Sequence, residues 1–315
     1  MSDMFANKRI DPMLIKNEAA PFNDINYIYE LKLDGTRCLA YLDNESTDLR
    51  NKRYVHLTPI FPELQDIHRQ AKEKCILDGE LIVQGSDGKP NFADIQRRCL
   101  MSNAIKINLA SKKAPATFIA YDILYLNGDS LLELPLMERK ALLQATVQEN
   151  KRIAISRYIS EHGIDLYELT VNQNLEGIVA KKKDSIYVPG KRSKAWIKIK
   201  NMCDDDYVIV GYLFKERGKT LILAQYNSQK QLIYKGHVTG ISAETFKRVT
   251  EIDKYDCPLL PPIPDSNHNA IWIKPELVCK VEYMHKTANG GLRQPVFRGL
   301  RDDKLPGDCI TKEES

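Results

Sequence analysis

One lysine stands between two carboxylates in the stretch Glu30-Leu-Lys32-Leu-Asp34-Gly35-Thr-Arg37. Apolar and polar residues alternate from Ile28 to Leu33 and Gly35 ends the run, which predicts a strand entering a tight turn. Side chains along a strand alternate between two faces, so Glu30, Lys32 and Asp34 share one face while Leu31 and Leu33 are expected to look into the core. Alone, such a lysine reads as a solubility device. As a nucleophile it must lose its proton near neutral pH, which requires burial or neighbouring positive charge.

The rest of the chain carries further charged candidate groups, and the last of them holds the cations. In order come Asp78-Gly79-Glu80, Tyr121-Asp122, Glu176-Gly177-Ile-Val-Ala-Lys181 and Trp196-Ile-Lys198-Ile-Lys200. In the last group period-two alternation puts Lys198 and Lys200 on one face, with Trp196, Ile197 and Ile199 read as core residues. Strict alternation from Glu176 would put Lys181 on the opposite face unless Gly177 introduces a bulge. Between Lys181 and Lys200 eight basic residues stand against Asp184 alone, although the whole chain carries only +4. The positive field is therefore local, as a phosphate-binding surface requires.

These groups need strands to hold them. Strands are expected at residues 28–33, 39–42, 75–83, 117–126, 177–181 and 195–200, and helices at 62–74, 91–101 and 136–149. The first 25 or so residues read as an irregular lead-in, and the lysine-containing segment up to Pro115 as an exposed loop. Asp204-Asp-Asp206 marks a composition shift, so residues 1–203 and 204–315 are taken as two domains. The second part reads strand, strand, strand, helix, strand, with Ser242 as the helix N-cap, which fits a small five-stranded barrel of the oligonucleotide/oligosaccharide-binding type. Hydrophobic content of 43% and charged content of 28% are those of an ordinary soluble chain. No apolar run is long enough to span a bilayer and no signal-peptide pattern is present, so a soluble intracellular protein without a membrane partner is expected. Seven scattered cysteines, including Cys257 and never in a C-x-x-C pair, read as free thiols.

Together and in this order the charged groups resemble the signature of the covalent nucleotidyltransferases, the superfamily of ATP-dependent DNA ligases, RNA ligases and mRNA capping enzymes. The run from Leu292 to Lys304, with Arg293, Arg301 and Asp303, is similar to the last motif of the DNA ligases. With Val296 and Gly299 in it, the run resembles the ligase domain of bacterial end-joining ligases and small viral ligases more than the large eukaryotic enzymes. The resemblance spans residues 5 to 305. It implies an α+β fold: a nucleotidyltransferase (adenylation) domain of antiparallel sheets with flanking helices, followed by an OB-fold barrel.

The resemblance also implies roles. Lys32 matches the nucleophile that attacks the α-phosphate of ATP. Lys198 and Lys200 match the lysines that hold that phosphate. Glu80 and Glu176 match carboxylates that bind ribose and a divalent metal, Mg²⁺ with Mn²⁺ as an alternative, which takes oxygen ligands and bridges phosphates. Tyr121 matches the aromatic stacked on adenine, Glu30 the contact to its edge, and Arg37 a contact to the sugar or DNA. Arg50 matches a nucleotide-contacting arginine, although Leu49 replaces the usual serine, and Lys181 closes its motif. Arg293, Arg301 and Asp303 match barrel residues that swing over ATP to orient pyrophosphate. The expected substrate is nicked duplex DNA bound independently of sequence by a monomer in the bacterial or viral cytoplasm, with end-joining proteins as possible partners. The 315 residues leave no room for a separate N-terminal DNA-binding domain. Two other readings are an RNA ligase or capping-type guanylyltransferase, and a non-catalytic nucleic-acid-binding module that keeps only the barrel.

Overall fold

The computed structural model describes residues 4–215, 218–255, 260, 267–287 and 291–311. The chain divides into two compact units, Met1–Asn201 and Met202–Ser315.

The first unit is built on two sheets. One has five strands in the order Leu14–Glu18, Arg192–Lys200, Gly177–Lys182, Asp24–Leu31 and Tyr158–Glu161. The other has six: Thr47–Asn51, Thr36–Leu42, Cys75–Val83, Ala116–Leu126 and Asp129–Ser130 in line, with Ile153–Ile155 paired to Ala116–Leu126. Most pairings are antiparallel as expected, but Leu14–Glu18 runs parallel to Arg192–Lys200, and Ile153–Ile155 parallel to Ala116–Leu126. Both sheets are therefore mixed.

Period-two alternation sorts the side chains of each sheet. The facing sides bury Ile28 and Trp196 from the first sheet with Leu39, Tyr41, Ile76, Leu124 and Tyr125 from the second. The outer side of the first sheet packs Tyr29, Ile178, Ala180 and Ile199 under Leu166 and Tyr167 of the helix Gly163–Asn172. The outer side of the second buries Cys38, Ala40, Leu77 and Leu81 with Phe61, Leu64, Ile95 and Leu143. The helix Leu136–Thr146 is locked to the second sheet by Arg139, whose guanidinium donates to both oxygens of Asp122 at 2.8 and 2.9 Å, each side chain fully buried.

Several sequence expectations are corrected. The lead-in contains a short helix, Met4–Asn7, and the strand Leu14–Glu18. Residues 62–74 form no α-helix; 3-10 turns at Pro62–Leu64 and Ile67–Gln70, preceded by one at Thr58–Ile60, take that place. The expected loop before Pro115 holds a helix, Ala104–Lys113, capped by the Asn103 side chain accepting from Lys106 N at 3.1 Å. Leu31 does not point into the core: it is 37% exposed, and Leu33 is half-buried. The core contribution on that face comes from Tyr29, and the supposedly solvated Glu30 is buried.

The second unit carries one antiparallel five-stranded sheet, in the order Leu232–Val238, Gly218–Tyr226, Cys203–Lys215, Ile271–Tyr283 and Val296–Leu300. The helix Ala243–Thr250 opens where Ser242 Oγ accepts from Thr245 N at 3.1 Å, and Phe246 and Val249 enter the core. Strands, helix and last strand have the arrangement of an OB-fold domain. Six cysteines are free thiols, and Cys257 lies outside the described residues.

Candidate active site

The polar face of the first sheet is assembled by register. Val179 pairs with Glu30 and with Lys198, Lys181 with Ile28 and with Trp196, and Gly177 with Lys200. Directly paired residues share a face, so Glu30, Lys181, Trp196, Lys198 and Lys200 all look toward the second sheet. Lys32 follows two residues after Glu30, its backbone N–H donating to Gly177 O at 2.9 Å, and its amine makes an ion pair with Glu176.

Glu176 reaches Lys32 because of Gly177. The register shows no bulge there. Instead Gly177 has φ +129°, and a Cβ on it would lie 2.2 Å from Ile199 O, so only glycine fits. The backbone turn cancels one step of alternation and brings Glu176 and Lys181 to the same face. Gly35 does a similar job in the turn after Lys32: a Cβ there would lie 2.3 Å from Leu81 O and 2.8 Å from Glu80 Cγ. Its absence lets the turn close on the Glu80 strand.

From the second sheet come Arg37, paired in register with Glu80, and Asp78, two residues before Glu80 on the same face. Arg37 grips the fully buried Asp78 with two hydrogen bonds, 3.0 and 2.5 Å, and Tyr187 Oη donates to the same carboxylate at 2.7 Å. Burial pushes the Glu80 carboxyl up to about 8; Arg37 and Lys32 oppose the shift, Asp78 and Glu176 add to it. The Tyr121 phenol is raised by burial as well. The Tyr121 ring meets Trp196 edge-on at 6.2 Å, with Lys181 Nζ 4.5 Å from one ring centre and 4.2 Å from the other.

Glu30 lies at the closed side of this group, 2% exposed. Its carboxylate takes both Lys181, at 3.0 Å, and Lys140 from the helix Leu136–Thr146. Burial works against its charge, and the two lysines outweigh burial and keep its pKa below the ordinary glutamate value. Lys181 is itself brought down to about 8, by burial first, with Glu30 opposing and Lys140 adding to the shift.

Lys198 and Lys200 both contact Glu18 Oε2, at 3.3 and 3.4 Å. Trp196, read as a core residue, is buried as expected but on the lysine face. Arg50 hydrogen-bonds to Asp48 at 2.8 and 3.0 Å and to Tyr54 O at 3.1 Å, so its described bonds go to neighbours on its own hairpin. Arg293, Arg301 and Asp303 belong to the second unit, where Arg301 pairs with Asp303 at 2.8 Å and with Asp206 at 3.3 Å.

The sequence reading did not single out Glu18, Lys140 or Tyr187, and named Asp78 only within Asp78-Gly79-Glu80, with no role of its own. Asp78 had a signal, since it stands two residues from Glu80 and must share its face. Glu18 and Lys140 had none, because their partners come from elements far apart in the chain.

Buried carboxylates beside lysines, an aromatic pair and an amine at the rim suit capture of a nucleotide phosphate. Among the described residues no three His, Cys, Asp or Glu side chains cluster as a ready metal site. Glu80 and Glu176 nevertheless fit a divalent ion that keeps water and phosphate ligands, since an ion would favour the charged form of Glu80 that burial disfavours.

Comparison with known proteins agrees. Residues 12–200 match the family described as ATP dependent DNA ligase domain, and residues 215–304 the ATP dependent DNA ligase C terminal region. The SPbeta prophage-derived DNA ligase-like protein LigB of Bacillus subtilis strain 168 is 30% identical over 293 residues, 93% of this chain and 99% of that protein. The multifunctional non-homologous end joining protein LigD of Mycolicibacterium smegmatis is 28% identical over 311 residues, 95% of this chain but only 39% of LigD. The structure of mycobacterial DNA ligase D complexed with ATP and MES superposes with a TM-score of 0.57 at 27% identity, covering 97% of this chain and 99% of that one. With two ligase domains matched in order and a relative aligned over nearly its whole length, the chain belongs to the ATP-dependent DNA ligases.

Proposed function

We propose that this ligase seals nicks in duplex DNA, independently of base sequence, through an AMP bonded to Lys32, and that it works in DNA repair. The observation that carries the reading is the placement of the Lys32 amine at the rim of the polar face, in contact with Glu176 and on the same sheet face as Lys198 and Lys200.

In this mechanism ATP enters with its base against Tyr121, where a flat ring offers an apolar platform. Glu30 reads the base edge, held in place by Lys140 and Lys181. Lys198 and Lys200 take the α-phosphate and offset its charge. The Lys32 amine, having released its proton to solvent at the rim, forms the N–P bond as the bond from phosphorus to the pyrophosphate oxygen breaks. Glu80 and Glu176 would hold Mg²⁺, or Mn²⁺, which supplies charge neutralisation at the triphosphate. AMP then passes to a DNA 5′-phosphate, and the 3′-hydroxyl displaces it to close the strand.

Arg293, Arg301 and Asp303 are assigned to orienting pyrophosphate, and Arg37 to the sugar or the DNA. Arg50 is kept as a nucleotide contact. The cation-rich stretch from Lys181 to Lys200 addresses the phosphate backbone, which makes binding fall steeply with salt. A monomer working with end-joining proteins is the expected form, by likeness to LigD, which carries that activity in its own name.

The test is Lys32→Ala. The variant is expected to gain no AMP by intact-protein mass spectrometry after incubation with ATP, yet to seal a nick already adenylylated at its 5′ end. An alanine variant that still gains AMP removes Lys32 from the mechanism.

A further inference from the structure

The strand Leu14–Glu18 lies at the edge of the first sheet and runs parallel to Arg192–Lys200, with Glu18 directly opposite Lys198. Paired residues share a face, so the Glu18 carboxylate comes out beside both lysines of that strand. Its Oε2 stands 3.3 Å from Lys198 Nζ and 3.4 Å from Lys200 Nζ. One oxygen anion held by two ammonium groups is the charge arrangement that a non-bridging phosphate oxygen would take at the same place. The strand also anchors Glu18 from behind, because Ala19 N donates to Lys198 O at 3.2 Å.

We propose that Glu18 is an internal competitor of the nucleotide phosphate: its carboxylate holds Lys198 and Lys200 in the nucleotide-free chain and must be displaced when phosphate arrives. This rests on the assignment of those two lysines to the phosphate. The glutamate side chain is 40% exposed, so it can rotate into solvent without leaving a buried charge behind. The lysines are only 31% and 15% exposed and stay on the sheet. Glu18 thus keeps two neighbouring ammonium groups from repelling each other while the site waits. It also lowers the affinity for every phosphate-bearing ligand, product included, which favours release.

The test measures ATP and AMP binding by calorimetry on the full chain carrying Lys32→Ala, so that no covalent step intervenes. Adding Glu18→Gln is expected to tighten both ligands by about three- to fivefold, the range of a part-exposed ion pair removed from competition, and to make inorganic phosphate a stronger competitor of ATP binding. The gain must vanish when Lys198→Met and Lys200→Met are also present. Unchanged or weaker binding in Glu18→Gln overturns the proposal and makes Glu18 a support for the lysines. If the two methionine substitutions by themselves leave ATP binding intact, the phosphate assignment fails instead, and the two failures are told apart.

Discussion

The cluster around Glu30 in the first unit and the Arg301–Asp303 and Arg248–Asp302 pairs in the second hold their charges in different media, although Arg301 also reaches the buried Asp206. Glu30, Lys140 and Lys181 are each about 3% exposed at the side chain, and Arg139 and Asp122 are fully buried. In the second unit Arg301 is 33% exposed and its partner Asp303 69%, and Arg248 and Asp302 pair at 2.6 Å in the open. Charges out of water interact strongly and are costly to leave unpaired, whereas exposed pairs are screened and form or break at little cost. The buried set can shift proton affinities and hold a geometry for chemistry. The exposed set is suited to changing partners, as residues assigned to a transient step over pyrophosphate must do.

The sharpest break of that contrast is Glu30→Ala, which strands two buried ammonium groups. Removing one member of a buried ionic group costs about 3–5 kcal/mol, so the variant is expected to lose much of its stability in urea titrations; a midpoint near wild type would mean that the triad is wet. Next come Lys198→Ala and Lys200→Ala, each expected to slow enzyme adenylylation about a hundredfold, the usual loss for one stabilising donor, with the fold intact by circular dichroism. Normal rates in rapid-quench assays would remove both from the phosphate.

A smaller effect follows from Glu80. Its folded value of about 8 lies above the ordinary glutamate value, so the folded chain holds a proton that the unfolded chain has lost between those limits. Its contribution to stability is therefore complete in acid and is lost as pH rises to about 8. In Glu80→Gln the fall in melting temperature between pH 5 and pH 8.5, measured without nucleotide or metal, is expected to be smaller than in wild type; an equal fall would show that another group titrates there. Smallest of all, Arg301→Ala should leave the melting temperature unchanged while slowing adenylylation, and a clear drop in melting temperature would erase the difference between the two units.

What the sequence made legible follows the strand period. Glu30 with Lys32, and Lys198 with Lys200, could be grouped by face because two-residue alternation is a local rule, although the rule did not say that the Glu30 face is the buried one and that Leu31 is exposed. Lys181 was the open case, since counting from Glu176 put it on the opposite face, and the positive φ of Gly177 brings the two together in a way that residue counting cannot see. The helix Ala104–Lys113 escaped because it buries only Ile107 and Ser111, leaving Ile105 and Leu109 exposed with no clear apolar stripe. Glu18 escaped because a parallel pairing with a strand near residue 195 is a long-range event, invisible in a segment read as an irregular lead-in between Pro12 and Pro21. Four of the second unit's strands and the Ser242 cap were readable, since short alternating strands with turns between them carry their own punctuation, but Val296–Leu300, which pairs with the strand before it, was not.

The most direct measurement is to treat the wild-type chain with ATP radiolabelled at the α-phosphate, digest it, and map the labelled peptide. The label is expected on the side chain of Lys32 as an acid-labile phosphoramidate, and to be discharged by pyrophosphate. A label on any other residue, or a folded chain that takes up none in the presence of Mg²⁺, would contradict the account.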